Sequence, residues 1–113
     1  MAPAGPKGAD QEGGPSVPVV KITRSPSIDQ ATYDAVNERV RIGADHPLGL
    51  LMHAAGWADG VFQIVEVWAS EDYAERYESE RLMPALQEVV GSDRFPGEER
   101  AVTVYDTHFL VTP

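Results

Sequence analysis

The stretch "GLLMHAAGWADGVFQIVEVWAS", residues 49–70, predicts a β-hairpin around which the rest of the fold is arranged. Two apolar runs, 48–55 and 61–69, flank the turn "GWADG" and are typical of strands. Asp59-Gly60 is a strong hairpin signal, because a primed turn requires positive φ at its central residues. A histidine and a glutamate, His53 and Glu66, stand inside runs that are otherwise apolar.

The length of the turn decides how His53 and Glu66 are placed. If the turn has two residues, His53 lies directly opposite Glu66. If the loop is the four residues 57–60, Glu66 lies opposite Leu51, one diagonal step from His53. Both alternatives put the pair on one face of the sheet together with Trp68, because side chains alternate along a strand. The layer that this face meets, helices or a partner sheet, is left open.

The segments on either side complete the order β-α-β-β-α-β. In chain order we predict a strand over 17–25, a helix over 27–43, the hairpin, a helix over 71–90 and a strand over 100–112. This is the split βαβ or ferredoxin-like arrangement, an α+β fold in which two helices cover one face of a four-stranded antiparallel sheet.

Local signals mark the ends of the helices. Ser27 and Gln30 have the spacing of a capping box, and Asp29 suits the positive end of the helix dipole. Gly43 is expected to end the first helix. In the second helix, Pro84 removes a backbone donor, so a kink or break is expected in the turn before it. The acidic side chains of that helix, Glu71, Glu75, Glu78 and Glu88, are interpreted as a solvated face.

The third strand is apolar on both of its alternating faces. A sheet with one wet face should alternate apolar and polar residues, so both faces are expected to be covered. The helices cover one face, and a second copy of the same sheet is the simplest cover for the other. The sequence therefore predicts a homodimer. The residues concerned are Val61, Val65 and Val67 on one face and Phe62, Ile64 and Trp68 on the other.

Length and composition bound the class of protein. The chain has 113 residues with 9 Lys and Arg against 18 Asp and Glu, a net charge of −9, and no cysteine. So acidic a chain is a poor binder of nucleic acid, whose affinity comes from cations that meet phosphates. No run is long enough for a membrane span and no signal peptide is recognisable, so a soluble cytoplasmic protein is expected. Residues 1–16, rich in Pro and Gly, are predicted to be a disordered tail, and 17–113 the single domain.

His53 and Glu66 are the candidate catalytic pair. A carboxylate beside an imidazole fixes its tautomer and suits it to act as a general base. The alternative is a hydrogen-bonded core pair that only helps to specify the fold. His108 lies two residues after Asp106 in the last predicted strand, and a site of His53, Glu66 and His108 would have the residue types of a metal site. No local motif such as HExxH supports it, so no metal is expected.

Aromatic side chains are the candidate walls of a small-molecule pocket. Tyrosines on helices that face a strand carrying His and Glu would supply apolar walls and a few polar groups. No phosphate loop, nucleophile elbow or dinucleotide fingerprint is present, so no cofactor is expected. His46, in the turn before Pro47, is expected to be solvated. The candidate substrate-binding residues are Trp68, Tyr73, Tyr77, Tyr33, His108 and Met52.

The segment "EVWASEDYAERYESERLMPAL", with the strand "LGLLMHAAG" before it, resembles the antibiotic biosynthesis monooxygenase family of the dimeric α+β barrel superfamily. The resemblance covers about residues 17–112. It implies a ferredoxin-like subunit that pairs sheet to sheet, with an apolar cavity between sheet and helices. Trp68 matches the strand-end tryptophan of the family and Glu66 its glutamate. Tyr77 stands where the family often has a histidine.

The resemblance implies several functions, because members oxidise polycyclic phenols without metal or flavin, degrade haem, or bind or isomerise small molecules. We expect a cofactor-independent enzyme that acts on a small apolar, polyketide-like substrate, by oxygenation, cyclisation or isomerisation. His53 would be the base, Glu66 its orienting partner, Tyr73 and Tyr77 hydrogen-bond donors, and Trp68 a wall. A non-catalytic small-molecule binding dimer and a haem- or metal-dependent member are the alternatives. Neighbouring genes of natural-product biosynthesis would favour the first.

Overall fold

The computed structural model describes residues 17–26, 28–92 and 101–112. The predicted tail, Ser27 and most of the loop before the last strand lie outside these residues. The elements are strands β1 (Val19–Ser25), β2 (Leu50–Ala58), β3 (Val61–Trp68) and β4 (Ala101–Asp106), and helices α1 (Gln30–Val40), α2 (Glu71–Tyr77) and α3 (Met83–Val90). A π-helical turn, Glu78–Leu82, joins α2 to α3. None of the helices in the described residues is long and apolar enough to cross a membrane.

The four strands form one antiparallel sheet in the order β2-β3-β1-β4, so β2 and β4 are its edges. This is the predicted ferredoxin-like topology. The hairpin turn has two residues, Asp59 and Gly60, with φ of 52° and 79°. Positive φ at both positions gives the turn the twist of the flanking strands. The register that follows puts His53 directly opposite Glu66, which confirms the first of the two predicted alternatives.

A β-bulge interrupts β2 near its start. Leu50 pairs with Trp68 and Met52 with Val67, so Leu51 is the extra residue on the bulged strand. The bulge lets Leu50 and His53, three residues apart, point to the same face. Leu50 is buried in the core as a result, whereas Met52 lies on the opposite face of the sheet.

The helices cover the face of the sheet that carries His53 and Glu66. That face supplies Phe62, Ile64 and Trp68 to the main core, and Phe62 and Trp68 are fully buried. The helical layer contributes Val36, Val40, Ala74, Tyr77, Ala85 and Leu86. The open question of which layer meets the polar pair is answered in favour of the helices.

The ends of α1 differ from those predicted. Asp29 is the N-cap, and its carboxylate accepts a hydrogen bond from the Thr32 amide at 2.8 Å. The helix ends at Val40, and Arg41, with φ of 56°, takes the left-handed position that was assigned to Gly43. Arg41 reaches this conformation because its amide bonds the carbonyl of Asn37 and closes the last turn.

The second helix changes its winding where the proline predicted a break. Glu78–Leu82 is wound as a π-helix, and Pro84 occupies the first turn of α3. The proline ring cannot sit against the carbonyl four residues earlier, that of Glu80, in regular α geometry, and a wider turn relieves this clash. The chain continues as helix beyond it, so the irregularity is local.

The last strand is shorter than predicted. β4 ends at Asp106, and Thr107 turns the chain by donating from its amide and its hydroxyl to the carbonyl of Pro18. His108 therefore lies in an exposed bend after the strand. The prediction that His108 shares a strand face with Asp106 is wrong, because Pro18, the next residue in the β1–β4 register, has no amide hydrogen to donate and the regular pairing ends there.

Gly49 is the position where the fold most needs a glycine. Its φ is +85°, and a Cβ atom there would overlap the ring of Tyr73. We predict that Gly49→Ala lowers the free energy of unfolding by about 2–4 kcal/mol, the sum of left-handed strain and overpacking. Gly43→Ala is the matched control, since a Cβ at Gly43 meets nothing within 4 Å. Urea denaturation of both variants checks this, and equal stability of the two would contradict it.

Candidate active site

A buried carboxylate lies at the centre of the candidate site. Glu66 is 9% exposed and points from the central strand β3 toward the helices. Its Oε1 accepts a hydrogen bond from Nε1 of Trp68 at 3.1 Å, and its Oε2 bonds Nδ1 of His53 at 2.8 Å. Each oxygen therefore has a donor, which an ionised carboxylate needs when it leaves water.

His53 extends this arrangement into a chain of three side chains. Its Nε2 lies 2.9 Å from the hydroxyl of Tyr33 on α1. When the imidazole is neutral and Nδ1 donates to Glu66, Nε2 carries no proton and accepts from the Tyr33 hydroxyl. The order is Glu66, His53, Tyr33, with one element of the fold contributing each member: β3, β2 and α1. Such a hydrogen-bond chain can move a proton between the Tyr33 hydroxyl at its outer end and the Glu66 carboxylate.

Aromatic rings surround the outer end of the chain. The rings of Tyr33 and Phe62 are 5.1 Å apart, and those of Phe62 and Trp57 are 4.9 Å apart. The Trp57 indole donates to the carbonyl of Ile28 at 3.2 Å, which ties the edge strand to the segment before α1. Trp57 is nonetheless 44% exposed, and Ala55, on the same face of β2, is exposed as well. The site is therefore open along this edge.

Tyr77 approaches the same carboxylate from the second helix. Its ring packs 5.3 Å from that of Trp68, and the residue is 7% exposed. Burial is the main cause that raises the Tyr77 pKa, and the negative charge of Glu66 adds to it. Among the described residues its hydroxyl has no hydrogen-bond partner. A buried hydroxyl without a partner is costly, so this one is available to a water molecule or a ligand.

Lys21 is a polar residue of this face that the sequence did not reveal. It pairs with Glu66 across β1 and β3, and its ammonium group forms an ion pair with Glu78. The Glu78 side chain is 26% exposed, so its assignment to a solvated helix face is wrong. Because Glu78 begins the π-helical turn, that turn holds its carboxylate over the sheet. That Lys21 shares a face with Glu66 follows only from the β1–β3 register, and the sequence does not reveal that register.

The structure brings together five of the predicted site residues and leaves three outside. Those that lie together at the candidate site are Glu66, His53, Tyr33, Tyr77 and Trp68. Tyr73 packs against Gly49, Met52 lies 46% exposed on the opposite face, and His108 is beyond the far edge strand. Met52 lies away from the candidate site because it is next to His53 in β2, and successive side chains of a strand point to opposite faces.

A metal site of His53, Glu66 and His108 is not formed, because His53 is on one edge strand and His108 follows the other. Within 17–26, 28–92 and 101–112, no three His, Asp or Glu side chains are placed to hold an ion. The other histidine, His46, is exposed, and its Nε2 hydrogen-bonds the Leu50 carbonyl at 2.7 Å.

Comparison with solved structures finds proteins of the same fold. A Caulobacter crescentus protein provisionally named an antibiotic biosynthesis monooxygenase is 14% identical, with a TM-score of 0.61 over 81% of this chain and 91% of that one. Rv0793 from Mycobacterium tuberculosis is 17% identical, with a TM-score of 0.60 over 84% and 99%. SnoaB from Streptomyces nogalater, a cofactor-independent oxygenase, is 13% identical, with a TM-score of 0.57 over 87% and 100%.

These similarities confirm the ferredoxin-like fold that the resemblance implies. No protein-family model matches the chain. No curated protein matches it either. At identities of this level the comparison shows the fold alone, so the function has to be argued from the site.

The electrostatic link between Glu66 and Tyr33 gives a prediction. The Tyr33 pKa is raised first by burial, then by the charge of Glu66 and by Asp34. We predict that Glu66→Gln lowers the Tyr33 pKa but leaves it above its ordinary value of about 10, because burial persists. Glu75→Gln, on the exposed side of α2, should leave it unchanged. NMR titration of tyrosine labelled at Cζ measures the pKa of each phenol.

The same raised pKa fixes the direction of a stability change at high pH. The unfolded chain ionises its tyrosines near pH 10, before the folded chain does, so stability is complete below that pH and falls as the pH rises further. Glu66→Gln should make this fall shallower. An unchanged Tyr33 pKa in Glu66→Gln would contradict the electrostatic link.

Proposed function

We propose that this protein is a cofactor-independent enzyme that removes a proton from a small aromatic, polyketide-like substrate. The observation that carries the proposal is the Glu66–His53–Tyr33 hydrogen-bond chain on the helix-covered face of the sheet. Both oxygens of the Glu66 carboxylate are hydrogen-bonded in it, one to His53 and the other to Trp68. The fold shared with SnoaB, a cofactor-independent oxygenase, supports the choice of reaction. Oxygenation is the reaction we favour, and cyclisation or isomerisation would begin with the same proton transfer.

After the proton transfer, the reaction with dioxygen needs few further groups from the protein. A phenolate or enolate anion is electron-rich enough to pass an electron to dioxygen without a metal. With anthrone as a test substrate, one molecule of anthrone and one of dioxygen give anthraquinone and water. The Tyr77 hydroxyl, which has no partner among the described residues, would donate to the oxygen of the anion, and the exposed ring of Trp57 would form an apolar wall. The Glu66 carboxylate balances the positive charge on His53 while it holds the proton.

A second candidate is a binding protein of the same fold without catalysis. This candidate is favoured by the direct hydrogen bond between Glu66 and His53, which is also what a purely structural pair would form. In that case the chain only orients a ligand. Turnover separates the two candidates.

We predict that the wild-type protein consumes dioxygen in the presence of anthrone and that His53→Gln slows this about 100-fold or more, the usual contribution of a general base. An oxygen electrode gives the rate, and anthraquinone absorbance identifies the product. His46→Gln is the matched control, because His46 is exposed and is not part of the Glu66–His53–Tyr33 hydrogen-bond chain. Folded His53→Gln protein with full turnover would contradict the base assignment. Binding of anthrone without turnover would favour the binding protein.

We also propose that the protein works as a homodimer through the outer sheet face, the face turned away from the helices. Met52 and Tyr105 lie on this face and are 46% and 51% exposed. Ile22 and Val65 pair at its centre. The exposed apolar side chains stand on the two edge strands, with buried or half-buried ones between them, and exposed apolar side chains on a sheet face favour an interaction site. A second copy fits it, because the same sheet presents the same apolar surface.

We predict that Val65→Glu converts the dimer to a monomer, because it places a charge at the centre of the outer sheet face. Met83→Glu, on the helical layer and 39% exposed, adds the same charge elsewhere and should remain dimeric. Size-exclusion chromatography with light scattering at micromolar concentration measures the mass. A monomeric wild-type protein would refute the dimer.

A further inference from the structure

His53 has no free nitrogen with which to reach a substrate. Its Nδ1 is bonded to Glu66 at 2.8 Å and its Nε2 to the Tyr33 hydroxyl at 2.9 Å. The phenolic oxygen of Tyr33, by contrast, uses only its proton in this contact. Its lone pairs remain, and no other hydrogen bond to it is formed within the described residues. The outer end of the chain is therefore an oxygen on α1.

We propose that Tyr33 is the catalytic residue that exchanges the proton with the substrate, and that His53 acts through it. The inference rests on the proposed function. The substrate's proton bonds to the Tyr33 oxygen as the hydroxyl proton of Tyr33 moves to Nε2 of His53. The products of this step are the substrate anion, a neutral Tyr33 and an imidazolium paired with the Glu66 carboxylate. Return of the proton follows the same path in reverse.

The surroundings of Tyr33 suit a flat aromatic substrate. Its ring stands beside that of Phe62, and the exposed Ala55 and Trp57 follow on the same face of the edge strand. Ala55 lies between His53 and Trp57 on this face, and its methyl group leaves room above the sheet for a flat ring. A polycyclic ring entering along this edge would stack against Trp57 and bring its acidic C–H or O–H group to the Tyr33 oxygen.

The protonation of Tyr33 is consistent with a concerted exchange. Burial and the charge of Glu66 both raise the Tyr33 pKa, so the phenol keeps its proton at neutral pH. It cannot act as a free phenolate and needs His53 to take its proton in the same step. An isolated tyrosine in the same position would have no route for that proton.

The test follows proton exchange without oxygen. Under anaerobic conditions in deuterated buffer, NMR measures how fast the protein exchanges the acidic C10 hydrogens of anthrone for deuterium. We expect Tyr33→Phe and His53→Gln each to lower the catalysed exchange about 100-fold or more, and the double variant to lose no more than either alone. His46→Gln, which changes an exposed histidine that is not hydrogen-bonded to Glu66, His53 or Tyr33, should exchange as the wild type does.

The outcomes separate this inference from the proposed function. If Tyr33→Phe exchanges as fast as the wild type or faster while His53→Gln does not, His53 is the direct base and the role of Tyr33 is overturned. If exchange depends on Tyr33 but no dioxygen is consumed in air, the inference holds and oxygenation is wrong. If the wild type does not exceed the buffer rate, both are overturned.

A structural role for the Tyr33 hydroxyl is excluded by a second measurement. Circular dichroism and the thermal midpoint of Tyr33→Phe show whether the variant is folded. In wild-type protein labelled at tyrosine Cζ, anaerobic addition of anthrone should shift the Tyr33 signal and leave that of Tyr105 unmoved. An unmoved Tyr33 signal at saturating anthrone would show that the ligand does not meet this oxygen and would overturn the inference.

Discussion

The need to solvate one buried carboxylate organises the interior of this protein. Moving an ionised carboxylate out of water costs several kcal/mol, about what the net stability of a small domain can absorb. Trp68 and His53 replace the lost water at the two oxygens of Glu66. Once His53 is held for this purpose, its second nitrogen has a fixed direction, and Tyr33 meets it from α1. Strand pairing and helix docking are thus joined through three polar side chains.

The same carboxylate sets the chemical character of the site. Its charge acts on both Tyr33 and Tyr77 and opposes the loss of their protons. The interior therefore holds two phenols as hydrogen-bond donors around one anion. Lys21 lies across from Glu66 and forms an ion pair with Glu78, whereas the imidazole of His53 hydrogen-bonds Glu66 directly. Such an arrangement favours a neutral substrate that becomes an anion during the reaction.

The sequence predicted the hairpin and its polar pair because both depend on local rules. Asp59-Gly60 fixes the turn, and the period of two along a strand then fixes the faces. The same period puts Met52 on the face opposite to His53, whereas the bulge at Leu51, which has no composition signal, could not be predicted. The local rules could not find the contact between Tyr33 and His53, since the rotation of α1 over the sheet is set by packing. His108 was misplaced because the partner residue in β1 at this point is Pro18, which has no amide hydrogen to continue the pairing.

The two-residue turn also constrains how this protein can diverge. With the two-residue turn kept, an insertion or deletion of one residue between His53 and Asp59 would move the imidazole from the interior to the outer sheet face. Glu66 would then face the helices without its partner. Length changes in β2 between His53 and the turn should therefore be rarer than length changes in the loop itself, which can lengthen without altering the pairing. An odd change in β2 would retain the strands and discard the chemistry.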